Sequence, residues 1–227
     1  MNLSPGRYSF KTWHWISIPL LAIAAYVTVL RVGFLLDDFG LLRDARDSGI
    51  NLDVLLPKAV LPDRFYFYRP VGTLLTWQIG WQIWGFNPFP YHLQSLLIHA
   101  ANALLVGIWL AAATRDRPTG WLAGALFGVF PLHLEAVAWL AAQWDELAVL
   151  FGLAGLLAFT RWWLSGGARK PATYLIALVA YALAIFTKES MFSFIVIIAA
   201  VPWFVRSESR TVNPKRWALA ILPFALV

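Results

Sequence analysis

The sequence predicts an all-α polytopic membrane protein, and three observations carry that expectation. Hydrophobic residues fill 60% of the 227 positions and charged residues only 13%, a balance outside that of soluble domains. Apolar segments bounded by charges, Pro or Gly recur along the whole chain. The basic residues are sorted by side: with the N-terminus inside and the spans alternating, the inner side collects eleven basic against two acidic residues, +9, and the outer side seven against ten, −3. The net charge of +6 therefore reads as a topology signal rather than as a nucleic-acid partner. A water-soluble enzyme is set aside, and the absence of Cys removes disulfides, thiolate metal sites and cysteine nucleophiles.

Taken in order, the spans fall at about residues 14–36, 91–113, 119–133, 146–164, 172–187 and 189–205, with an incomplete one at 217–227, all in a single transmembrane domain. A helix needs about 20 residues to cross the hydrocarbon, so the shorter segments must tilt or pack within a bundle. The first resembles a secretory signal, but cleavage after Ala22-Ile23-Ala24 leaves only Ile16 to Leu21 as its apolar part. It is therefore read as an uncleaved span. The last stops at Val227 after 11 residues, and a span ending in mid-bilayer with a free carboxylate is costly. The chain is accordingly expected to be the N-terminal piece of a longer protein.

The N-terminus is expected in the cytoplasm and the functional face outside, in the periplasm, the extracellular space or a lumen. The longest outer connection is residues 37–90. Its aromatics interleave with charges, and Trp77, Trp81 and Trp84 recur at helical spacing, which predicts amphipathic helices in the interface with rings at headgroup level.

Four polar constellations lie on the outer side. Asp37 and Asp38 stand next to each other where the first span ends; adjacent ionised carboxylates repel, so such a pair retains a proton, recruits a cation or points two ways. It is read as a general base or cation ligand, against a plain helix stop. His92, Ser95, His99 and Asn102 share one face of an otherwise apolar helix and must face the bundle interior or a wet cavity. His92, nearest the outer surface, is the functional candidate, and Asn102 is assigned to packing. Glu135, Trp139, Gln143 and Glu146 are expected on one helical face, with His133 and Asp145 beside them; His133-x-Glu135 offers two metal ligands and needs a third from Asp37, Asp38 or His92. Lys188 and Glu189 sit at an outer helix junction and are expected to have separate partners. With Arg69, Lys188 is suited to holding a lipid phosphate.

Together and in this order, "LLDDF", "YRPV", "GFNPFPYHLQSLLIHAANALL", "FPLHLEAVAWLAAQWDELAVLFGL" and "TKES" resemble the membrane region of the GT-C polyprenyl-phosphate-sugar glycosyltransferases. The branch they resemble is that of the transmembrane and tetratricopeptide-repeat O-mannosyltransferases and their bacterial relatives. The resemblance implies a GT-C helix bundle whose first outer loop carries the catalytic acid. It also implies an inverting transfer of a mannose-like sugar from a polyprenyl-phosphate donor to a protein or glycan hydroxyl on the outer face. Carried over, Asp38 is the first choice for the base and Asp37 its neighbour or cation ligand. Arg69, Lys188, His92, His133, Glu135 and Glu189 are the candidates for substrate and phosphate binding. A divalent cation stays open as cofactor, with Asp37, His133 and Glu135 as its candidate ligands, and the surrounding lipids and the donor's own tail are the implied membrane partners. Two positions depart from the relatives: Phe130 stands where His is usual, and Gln143-Trp144 precede Asp145 where a basic residue is usual. The other reading of the same stripes is a non-catalytic membrane subunit or scaffold of GT-C-like fold. A transporter is disfavoured because the polar residues gather near one surface rather than at the bilayer midplane.

Overall fold

A computed structural model describes residues 13–55, 68–166, 170–205 and 212–227. The N-terminal charges Arg7 and Lys11 and the aromatic-basic run 62–67 lie outside these residues. So do several charges entered in the topology count, among them Lys58, Arg64, Arg169, Arg206 and Arg210. Among the described residues the chain is helical with no strand.

The helices in chain order are α1 (Trp13–Tyr26, continued by a 3-10 turn Val27–Arg31), α2 (Asp38–Ser48), α3 (Pro70–Gly72), α4 (Ile79–Trp84) and α5 (Pro88–Thr114). There follow α6 (Arg117–Val129), α7 (Leu134–Ala138), α8 (Gln143–Leu164), α9 (Pro171–Thr187), α10 (Phe194–Phe204) and α11 (Pro214–Ala225). Their starts follow the local chemistry. Asn87 caps α5 by accepting from the Phe89 N–H, Asp116 caps α6 through Thr119, and Asn213 caps α11 through Lys215 and Arg216. In each case a proline occupies the first turn, where its missing N–H has no cost.

Three segments are long and apolar enough to cross a bilayer unaided: Trp13–Arg31, Pro88–Thr114 and Leu140–Leu164. The pair Arg117–Val129 and Pro131–Ala138 makes a fourth if its 49° bend is counted within one span. Pro131 imposes that bend, because it holds Phe130 extended at ψ 121°. The apolar helices Pro171–Thr187 and Glu189–Phe204 are shorter. Leu175, Ile176, Val179, Val196 and Trp203 face outward on these helices, the inverse of a soluble protein's surface and the arrangement lipid requires. The chain is an integral membrane protein.

The bundle has two lobes joined by α5. On one side α1, α5 and α6 meet through small residues. A Cβ added at Gly120 would lie 2.5 Å from the Gly107 carbonyl oxygen, and one at Gly124 would lie 2.7 Å from that of Ala103, so the backbones touch as in small-residue membrane crossings. On the other side α8, α9, α10 and α11 pack around Phe159, Tyr181, Ile198 and Phe224.

At one end α2 and the α3–α4 helix form a cap. Here the structure departs from the expectation of rings lying at headgroup level: Trp77 is buried and stacks on Tyr91, within a cluster of Leu42, Ala45 and Leu140 with Trp81 and Trp84 at its edge. A π-helical stretch, Thr73–Gln78, turns Trp77 inward. The Trp144 ring fills the space beside Gly72, where a Cβ would come within 2.6 Å of it.

Gly124→Val should therefore force α5 and α6 apart at a cost of about 1–3 kcal/mol, the usual penalty of overpacking. Thermal unfolding in detergent checks this, with Gly33→Ala, where an added Cβ meets nothing within 4 Å, as the neutral control.

Candidate functional site

The site is built on the breaks between helices at the capped end. Leu36 takes a positive φ of 41°, which turns the chain out of the first span and separates the two acids. Asp37 is exposed at the start of α2 and its side chain makes no capping hydrogen bond. Asp38 is 0% exposed; one carboxylate oxygen accepts from the Leu35 N–H and the other from the Ala141 N–H, each at 2.8 Å. Burial pushes the Asp38 carboxyl above its usual range, although both N–H donors oppose the shift and the neighbouring Asp37 charge adds to it. Asp38 is thus a clamp between the first span and the segment before α8.

That segment is itself broken. Trp139 is extended (φ −91°, ψ 110°), so α7 ends at Ala138 and a 3-10 turn Leu140–Ala142 leads into α8. The expected single face of Glu135, Trp139, Gln143 and Glu146 does not form. Glu135 is exposed on α7, whereas Gln143 and Glu146 are buried on α8. The cause is the obligation to present the Ala141 N–H to Asp38 rather than to a helical carbonyl.

Within four residues of Ala141, the same stretch meets both Arg69 and Lys188. Trp144 donates from its indole nitrogen to Thr76 Oγ1 at 3.1 Å and lies beneath the Arg69 guanidinium, 5.0 Å from ring centroid to Cζ. Arg69 holds Glu189 in a fork, Nε to Oε2 at 2.8 Å and Nη2 to Oε1 at 2.5 Å. Lys188 pairs with Asp145. Adjacent residues 188 and 189 thus serve separate partners. The Arg69 and Lys188 side chains are only 12% and 21% exposed, whereas those of Glu189 and Asp145 are 44% and 41% exposed, so the cations are largely shielded from water and their carboxylate partners are open to it. Beside this quartet a hollow of about 180 Å³ is lined by Tyr68, Ile185, Phe186, Glu189, Phe192 and Val227, predominantly apolar with the Glu189 carboxylate on its wall.

The polar stripe of α5 turns inward, with His92, Ser95, His99 and Asn102 all buried. Each of the first three meets a carbonyl left without a helical partner by a break: His92 Nε2 at Gly33, Ser95 Oγ at Val137 and His99 Nε2 at Gly128, at 3.4, 3.0 and 3.2 Å. Asn102 donates to the Glu146 carboxylate at 2.7 Å, and His99 Nδ1 lies 3.2 Å from the other oxygen of that carboxylate. His133 sits half-buried against Phe127 and 5.2 Å from the His99 ring. It turns away from Glu135 and joins His99 and Glu146. The Phe130 carbonyl accepts from the Tyr26 hydroxyl.

The candidates therefore divide into three groups. Arg69, Lys188 and Glu189 come together with Trp144 and Asp145. Asp38 and His92 hold the loop that presents Asp37. His133 joins a second cluster with His99 and Glu146, and Glu135 stands apart on the surface.

Fold and site together define an all-α integral membrane protein with a capped, charged end. Over 156 residues, 62% of its length, the chain is 31% identical to Protein O-mannosyl-transferase TMTC2 of Mus musculus. It is 27% identical over 149 residues to Protein O-mannosyl-transferase TMTC3 of Homo sapiens, and 26% identical over 181 residues, 75% of the chain, to Protein O-mannosyl-transferase Tmtc1 of Drosophila melanogaster. The matched stretches make up 18%, 16% and 20% of those relatives' own lengths, so the chain spans about a fifth of the curated relatives it matches. No family model and no solved structure matches it. The resemblance read from the motifs, to the transmembrane and tetratricopeptide-repeat O-mannosyltransferases, is supported by these relatives.

Because the folded Asp38 carboxyl titrates above its unfolded value, its contribution to stability is complete below the unfolded pKa and is lost as the pH rises through the folded one. Asp38→Asn also replaces an acceptor with an amide N–H facing a backbone N–H, a mismatch costing about 1–3 kcal/mol. The stability gap between wild type and this variant should narrow as the pH is raised from acid to neutral, measured by unfolding of the detergent-solubilised protein across that range.

Proposed function

We propose that this chain is the catalytic membrane region of a glycosyltransferase that moves a mannose-like sugar from a polyprenyl-phosphate donor to an acceptor hydroxyl, on a protein or glycan, at the outer face. One observation carries the reading: the acid loop and the cation pair converge on five consecutive residues, with Ala141 holding Asp38, Trp144 beneath Arg69 and Asp145 on Lys188. Support for the class of activity comes from the relatives named protein O-mannosyl-transferases. The basic excess on the opposite side supports a cytoplasmic N-terminus and an outer active face.

In this reading the lipid tail lies along the apolar hollow beside Phe186 and Phe192, and its phosphate meets Arg69 and Lys188. As the bond between anomeric carbon and phosphate oxygen breaks, these cations stabilise the charge that develops on the departing phosphate. A carboxylate takes the proton from the acceptor hydroxyl, whose oxygen attacks the anomeric carbon from the opposite side and inverts it. The base is assigned to Asp37 rather than Asp38. Asp37 is exposed and uncommitted to a cap, whereas both Asp38 oxygens already hold backbone N–H groups. Asp38 becomes the residue that positions it.

A scaffold draws on a different observation, that each cation already has a carboxylate partner. The two readings separate on Asp37. In the full-length protein reconstituted with a mannosyl polyprenyl phosphate, Asp37→Asn should lower kcat by about 10²–10⁴-fold while leaving thermal stability unchanged. Undiminished turnover, or no transfer by the wild type, overturns the proposal and favours the scaffold.

A further inference from the structure

The cluster of His99, His133 and Glu146 lies below the cap, and none of the three takes part in the transfer step proposed above, although the resemblance carried His133 over as a substrate-binding candidate. His99 Nε2 faces the Gly128 carbonyl, so that nitrogen carries a hydrogen and donates it. In the neutral ring Nδ1 is then a bare lone pair, and it lies 3.2 Å from Glu146 Oε1, another lone pair. Two acceptors hold that distance only when something positive sits between them.

No Lys or Arg contacts Glu146 among the described residues, and its carboxylate, 4% exposed, is met by Asn102 and His99. A buried carboxylate in an apolar bundle calls for a counter-charge. His133 supplies a third donor: one ligand atom from each of the three residues fits within 4.8 Å of the others.

We propose that His99 Nδ1, His133 and Glu146 bind a divalent transition metal of the zinc class. Ligand atoms at about 2.0–2.1 Å from a tetrahedral zinc stand about 3.3 Å apart, which matches the His99–Glu146 separation. His133, half-buried on the 3-10 turn Pro131–His133, closes the third corner once its distances to the other two ligand atoms, at most 4.8 Å, shorten by up to about 1.5 Å. The outer partners are those that metal-bound histidines and carboxylates use: the Gly128 carbonyl on His99 Nε2–H and the Asn102 amide on Glu146 Oε2. Three protein ligands leave a fourth position for water. The metal joins α5, α8 and the turn between α6 and α7, so its role is to fix the broken helices beneath the cap. It is a different site from one made by Asp37, His133 and Glu135, since Glu135 is exposed on α7 away from this cluster.

The test does not depend on transfer activity. Full-length protein, purified in detergent and freed of any affinity tag, is stripped with chelator and offered Zn2+ or Co2+. The wild type should retain close to one metal per chain by elemental analysis, show the intense visible bands of four-coordinate Co2+, and unfold at a higher temperature with Zn2+ present. His133→Ala, which removes a ligand whose ring packs against those of His99, Phe127 and Phe130, should weaken binding by more than the roughly 10–100-fold that outer partners contribute. Glu135→Gln should bind as the wild type does. Failure of the wild type to retain metal or to gain thermal stability with Zn2+ overturns the proposal and leaves a proton bridging His99 and Glu146. Equal binding by His133→Ala, or loss of binding by Glu135→Gln, overturns it as well.

Discussion

Every helix that breaks inside an apolar bundle leaves carbonyls and N–H groups that water cannot reach, and meeting that requirement organises this molecule. The chain breaks after the first span, between α6 and α7, and between α7 and α8. One face of α5 repairs the carbonyl side of these breaks through His92, Ser95 and His99, and Asp38 repairs the N–H side through Leu35 and Ala141. A helix of the same hydropathy without that stripe has nothing to offer the exposed ends. The polar residues of α5 are thus the reason the breaks are tolerated, and the breaks are what bring charged side chains to a membrane protein's end.

The segment from Trp139 to Glu146 shows how tightly these repairs are linked. Ala141 binds Asp38, Gln143 donates to the Tyr91 carbonyl, Trp144 reaches Thr76 and Arg69, Asp145 pairs with Lys188, and Glu146 meets His99 and Asn102. Residues as far apart in the sequence as Asp38 and Lys188 are thereby brought to one short stretch. Single changes within it act on several elements together, so their effects are not expected to add.

Much of this was legible in the sequence, for identifiable reasons. Period and hydropathy place the apolar helices, and the stripe at His92, Ser95, His99 and Asn102 is readable because polar groups cannot face lipid. The separate partners of Lys188 and Glu189 follow from helix geometry, since neighbours point apart. Three things were not legible. Adjacency alone cannot say which of Asp37 and Asp38 is turned inward, because the positive φ at Leu36 decides it. The break at Trp139 carries no Pro or Gly to announce it, and it arises from a hydrogen bond to a residue about 100 positions away. Likewise the meeting of His99 with His133 and Glu146 depends on that break, so helical spacing pointed instead to a face that does not exist.

The π-helical stretch Thr73–Gln78 sets the rotational phase between the two ends of its helix. Before it Arg69 must aim at Glu189 across the Trp144 ring; near its end Trp77 must stack on Tyr91, and beyond it Trp84 must meet the same ring edge-on. An unbroken α-helix advances about 100° per residue and fixes the angle between those two directions, whereas the wider turn adds a residue and shifts it. The stretch works as a vernier between two anchors that were set independently, one by the charged quartet and one by the aromatic cap. Chain length there is consequently held more tightly than side-chain identity: taking out one residue swings Arg69 about a quarter turn from its ring and its carboxylate while every side chain needed for the contact is still present.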